Sequence, residues 1–126
     1  MFTPVLKLEH ADARGEIYSI TLPGDQELML LHSKTGSLRG GHAHDVSETV
    51  VMLTGKMRYY KKTSIGEYDL DLNPGACSFN PAMEPHMGEF LEDSWLIEWK
   101  INTSKGQWRN IDDPELRAKV VANAAS

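Results

Sequence analysis

Two histidines and one glutamate stand at even spacings between two glycines. Gly36, His42, His44, Glu48 and Gly55 follow one another as Gly-x5-His-x-His-x3-Glu-x6-Gly. Side chains alternate between the faces of a β-strand with period two, so an unbroken strand through 42–48 puts all three groups on one side. Two imidazoles and a carboxylate on one face are a mixed nitrogen and oxygen donor set suited to a transition metal. With independent positions, this pattern arises by chance in roughly one chain of this composition in ten thousand. Asp45 follows the histidine pair directly and is expected on the opposite face, as a supporting or surface carboxylate rather than a ligand.

The elements that must hold these groups read as short strands. Segments 16–22 and 26–33 have strand character and are separated by the turn Pro23-Gly24-Asp25. Segment 47–54 is apolar on both faces, as expected of a strand buried between two sheets, and Gly55 turns the chain. Segments 56–62 and 67–72 predict a hairpin around Thr63-Ser64-Ile65-Gly66. Asn73-Pro74-Gly75 is a turn, because proline presets φ and glycine takes positive φ. Further strands are expected at 76–80, 86–91 and 94–101. The last of these puts Trp95, Ile97, Trp99 and Ile101 on one side and Leu96, Glu98 and Lys100 on the other. A helix begins after Asp113 as cap, with Pro114 at its first position and Glu115 near the positive end of its dipole, and runs to about residue 123.

Composition narrows the function classes. A chain of 126 residues with 40% hydrophobic content supports one globular domain, here taken as 1–126. A formal charge of −5 speaks against nucleic acid and anionic membranes as partners; Lys56, Arg58, Lys61 and Lys62 read as a solvated strand face. The N-terminus lacks the basic and apolar regions of a signal peptide, and no apolar run approaches the ~20 residues of a membrane span. Cys77 is the one cysteine, which excludes an internal disulfide and a thiolate metal cluster and makes a reducing, cytoplasmic setting the default.

Many short strands punctuated by Gly and Pro turns indicate a sandwich or barrel. At this point the residues resemble a family. Segment 36–55 fits the first motif of the cupin superfamily at every defining position. The second cupin motif, Gly-x5-Pro-x-Gly-x2-His-x3-Asn, is matched by Gly75, Pro81 and His86, whereas Met83 replaces its middle glycine and Phe90 its final asparagine. The resemblance covers about 36–90 and implies an all-β fold, a double-stranded β-helix or jelly-roll barrel followed by the short helix. It further implies a divalent metal (Fe, Mn, Ni, Zn or Cu) at the barrel mouth, held by His42, His44, Glu48 and His86, with a small-molecule substrate beside it.

A narrower resemblance is to the small RmlC-like cupins that isomerise or epimerise nucleotide-linked keto-sugars. It rests on Arg39-Gly40-Gly41-His42-Ala43-His44 and on Asp12-Ala13-Arg14-Gly15. By that resemblance His44 is a proton-moving base that needs no metal, and Arg39 is the clamp for an anionic group. The leading expectation is a metal-dependent cupin enzyme, with oxygenase, isomerase or hydrolase chemistry involving His44, Glu48 and Arg39. A non-catalytic metal or ligand module is the third reading. Pairing of two barrels is expected, with the N-terminal strand or segment 95–101 as the exposed edge that a homodimer covers. His32 reads as a satisfied half-buried histidine, His10 as an exposed turn residue, and Trp95 and Trp99 as sheet packing. Met52, Met57, Met83 and Met87 read as gap-filling core.

Overall fold

The computed structural model describes residues 5–104 and 106–125. The strands are β1 (Val5–Asp12), β2 (Gly15–Leu22), β3 (Gln26–Ser33), β4 (Leu38–His44), β5 (Glu48–Thr54) and β6 (Met57–Thr63). They continue as β7 (Gly66–Leu72), β8 (Cys77–Asn80), β9 (His86–Phe90), β10 (Ser94–Ser104) and β11 (Asn110–Asp112), and helix α1 (Pro114–Ala125) closes the chain. Every strand pair is antiparallel. One sheet has the order β1-β2-β3-β10-β5-β8 and the other β11-β4-β9-β6-β7. This is mostly β structure in two facing sheets with one C-terminal helix, the architecture expected from the sequence.

The core lies between the sheets. Leu31, Val50, Met52 and Leu96 from the six-stranded sheet meet Met57, Tyr59, Leu72 and Phe90 from the five-stranded one. Each side chain of this size contributes about 1.5–3 kcal/mol by leaving water. A smaller cluster of Tyr60, Met87, Leu116 and Val120 seats α1 on the back of the five-stranded sheet. The helix starts as expected: the Leu116 amide donates to Asp113 Oδ1 at 2.9 Å. The hairpin β6–β7 closes with Thr63 opposite Gly66, and Gly75 takes φ +88° in its turn.

Several expectations are corrected. The strand through the ligand motif is broken: β4 ends at His44, β5 begins at Glu48, and the two belong to different sheets. The three groups therefore converge across the barrel instead of sharing one face. β5 is not buried on both sides, since Leu53 is 42% exposed. Segment 95–101 is no edge, because β10 lies between β3 and β5; β1 and β8 are the edges of that sheet, and β1 is exposed throughout. His10 sits within β1 rather than in a turn. Met83 is not core: it is 58% exposed and takes φ +70°, a left-handed conformation that favours glycine. The Trp95 and Trp99 face of β10 points away from the core, whereas Leu96, Glu98 and Lys100 point into it.

Candidate metal centre

The site is built where β4 lies against β9. His42 pairs with His86 in the register, and Gly41 is the extra residue of a bulge between Gly40 and His42. Gly40 (φ +104°) and Gly41 (φ +80°) allow that bulge, and a Cβ on Gly40 would stand 2.8 Å from the His86 carbonyl oxygen. Arg39 and His42 are three residues apart, so a regular strand would send them to opposite faces. The bulge restores the parity, and both line one cavity of about 260 Å³.

His42, His44 and His86 each offer a ring nitrogen within 4.8 Å of the other two. His86 Nδ1–H donates to the Glu84 carbonyl at 3.2 Å, which leaves Nε2 as the nitrogen with the free lone pair. Both ring nitrogens of His44 are buried without a hydrogen-bond partner. Burial, followed by the neighbouring His86 and His44 rings, lowers His42 to about 4, and burial also lowers His86. Neutral imidazoles with free lone pairs are the form that ligates a metal.

Glu48 stands outside that triad. Its Oε2 lies 3.1 Å from His44 Nε2, off the axis of a hydrogen bond, and its Oε1 lies 3.5 Å from His86 Nε2. Lys100 Nζ donates to Oε2 at 2.8 Å, and Asn80 Nδ2 donates to Oε1 at 3.4 Å. Burial alone would raise this carboxyl; the His44 ring and the Lys100 ammonium outweigh it and hold Glu48 well below the usual carboxylate range. Asp45 is a surface carboxylate as expected. It accepts from the Arg109 amide at 2.8 Å and from Arg109 Nε at 3.2 Å. That tether brings Trp108 to the site, its ring edge-on to His44 at 5.1 Å and 3.8 Å beneath Lys100 Nζ.

Arg39 is half-buried at the cavity wall, donating to Ser33 Oγ at 2.6 Å and to the His32 carbonyl at 3.2 Å. Among the described residues it has no carboxylate partner. Arg14 lines the same cavity and is tied to Asp12 at 2.6 Å. His32 is satisfied by Glu16 at 3.0 Å and stacks on Trp95 outside the cavity. Sequence reasoning passed over Lys100, Glu98, Asn80 and Trp108. The available signal was two charges alternating with Leu96 on one face of a central strand.

No protein-family model and no curated protein sequence matches the chain. Solved structures do. The capsular polysaccharide assembling protein CapF of Staphylococcus aureus superposes with a TM-score of 0.70 at 19% identity, over 88% of this chain and 32% of its own. Oxalate decarboxylase of Bacillus subtilis at pH 4.6 gives 0.66 at 21% identity, over 95% of this chain and 34% of its own. KdgF of Halomonas sp. gives 0.62 at 16% identity, over 73% of this chain and 82% of its own. The chain thus spans about a third of the CapF and oxalate decarboxylase chains and most of KdgF. Two antiparallel sheets closed over a histidine triad, with these neighbours, identify the chain's fold as that of the cupin superfamily.

Proposed function

We propose that this chain is a metal-binding cupin that acts on a small polar molecule in its cavity, with His42, His44 and His86 as ligands and Glu48 as the fourth. The observation that carries the reading is His44, whose two buried ring nitrogens have no hydrogen-bond partner; burying such a polar group costs free energy unless something else occupies it. The Glu48 contacts agree. One carboxylate oxygen faces each of two rings of the triad, Oε2 at 3.1 Å from His44 Nε2 and Oε1 at 3.5 Å from His86 Nε2, which sets Glu48 beside the site the three imidazoles would share. Lys100 and Asn80 then orient the carboxylate, and the Glu84 carbonyl orients His86.

An ion there supplies a Lewis acid with open positions for water, oxygen or substrate; Fe, Mn, Ni, Zn and Cu all suit the donor set. Arg39, without a carboxylate of its own, receives an anionic group of the substrate. Arg14 and Arg39 on one wall also favour the second reading, a keto-sugar isomerase or epimerase with His44 as base, whose sugar end would occupy the cavity. The apolar outer face of the six-stranded sheet, with Leu53, Phe79, Trp95, Trp99 and Ile101 exposed, is the surface a homodimer covers. The exposed lone Cys77 suits a reducing, cytoplasmic compartment.

Elemental analysis of the protein purified without added metal tests the reading. Near-stoichiometric metal is expected, lost in a His42→Ala/His86→Ala double variant. A chelator should lower the melting temperature of the native protein and leave the double variant unchanged. At a metal concentration one hundred times Kd the stabilisation removed is about 2.7 kcal/mol. Equal insensitivity to chelator in both proteins refutes the metal centre. Glu48→Gln should lose metal and activity together; if it loses metal and keeps full activity, the keto-sugar reading takes its place.

A further inference from the structure

Glu98 projects from β10 into the cavity that the histidine triad lines, between Met29 on β3 and Val50 on β5 in the register. Among the described residues it has neither a hydrogen bond nor an ion pair. The nearby cations are engaged elsewhere: Lys100, two residues along the same face, pairs with Glu48 at 2.8 Å, and Arg39 is held by Ser33 and the His32 carbonyl. Other ionisable groups near it are Glu48 from β5, Glu27 from β3, His44 from β4 and Tyr59 from β6. One cavity therefore holds a carboxyl without a counter-ion and a guanidinium without a carboxylate. Unpaired polar groups in a partly closed cavity are costly to keep.

We propose that Glu98 is the proton-transfer residue of this cavity, and that its substrate class is the small 2-keto carboxylates, with the carboxylate on Arg39 and the carbon that loses its proton against Glu98. The inference rests on the proposed function in placing the substrate carbonyl at the triad. The Glu98 carboxylate takes a proton from the carbon next to the carbonyl. The C–H electron pair becomes a C=C bond and the carbonyl π pair moves to oxygen. Return of the proton from the Glu98 acid to carbon restores the ketone, and no oxidant or reductant is consumed. Burial, followed by the Glu48 charge, pushes Glu98 up to about 7, where a carboxyl exchanges protons readily at neutral pH.

The test uses pyruvate in deuterated buffer with the protein as purified, following loss of the methyl proton signal by NMR and measuring metal content on the same samples. The native protein should exchange these protons at least tenfold faster than buffer, with a rate that rises through about pH 7. Glu98→Gln should lose tenfold or more and become flat with pH, and Glu98→Asp should recover part of the rate. Arg39→Ala should raise the pyruvate concentration for half-maximal rate more than it lowers the maximum. A Glu98→Gln protein that exchanges at the native rate overturns the inference. A native protein that holds metal and exchanges no faster than buffer overturns this inference alone. A native protein without metal overturns the triad reading, and exchange in it that still requires Glu98 upholds this one.

Discussion

Replacing Glu98 by Gln removes one ionisable group and keeps its shape, so the difference in stability between the two proteins isolates the cost of ionising that carboxyl in the fold. An ordinary glutamate titrates near 4.5, whereas in the fold Glu98 is pushed up to about 7 by burial and by the Glu48 charge. Folding therefore favours the protonated form. Below pH 4.5 the group is neutral in both states and the variants should be equally stable. Between 4.5 and about 7 the unfolded chain releases the proton and the folded chain holds it, so native stability falls relative to the variant; above 7 the gap is constant. At 1.36 kcal/mol per pH unit the full gap is about 3 kcal/mol. Glu98 is only half-buried, so water screening brings the expectation to about 2 kcal/mol in favour of the glutamine. Urea unfolding followed by tryptophan fluorescence at pH 4, 5.5, 7 and 8.5, with chelator present, reads this directly. The depressed His42 and His86 titrate in both proteins and cancel in the difference. A gap that stays flat with pH, or that favours the native protein as pH rises, refutes the account of Glu98.

Gly55 turns β5 into β6 at φ +84°, and a Cβ there would meet the Asp93 carbonyl and Ser94 Oγ. Gly55→Ala should cost about 2 kcal/mol or more in urea unfolding, and a loss under about 0.5 would show that the turn relaxes freely. For the outer sheet face, light scattering should give twice 14.1 kDa for the native chain at micromolar concentration and a monomer for a Phe79→Glu/Trp99→Glu double variant. A native mass of 14.1 kDa removes the dimer.

The turns were legible because their chemistry is local. Asn73-Pro74-Gly75, Thr63 to Gly66 and the Asp113-Pro114 helix start each declare themselves within a few residues. The break between His44 and Glu48 was not, because Asp45-Val46-Ser47 carries neither Gly nor Pro. What holds it is tertiary: Asp45 is fixed by Arg109, far along the chain. β1 escaped notice for a related reason, since its residues are exposed and it is ordered by pairing with β2 rather than by a buried face.

For the candidate site, the spacing of His42, His44 and His86 was readable and the company they keep was not. Period-two alternation says that Trp95, Ile97 and Trp99 share one face of β10 and Leu96, Glu98 and Lys100 the other; it does not say which face is inside. The usual hydrophobic preference selects the tryptophans. The structure selects the charges, because Lys100 neutralises a fully buried Glu48 and lies over Trp108, so turning that face outward would strand the carboxylate without its cation. Having spent its inner face on chemistry, β10 leaves Trp95 and Trp99 at 37% and 39% exposure on the outer one. The polar interior and the apolar exterior of this strand are two sides of one constraint. The catalytic reading of Glu98 and the expectation that a second copy covers the tryptophans both draw on it.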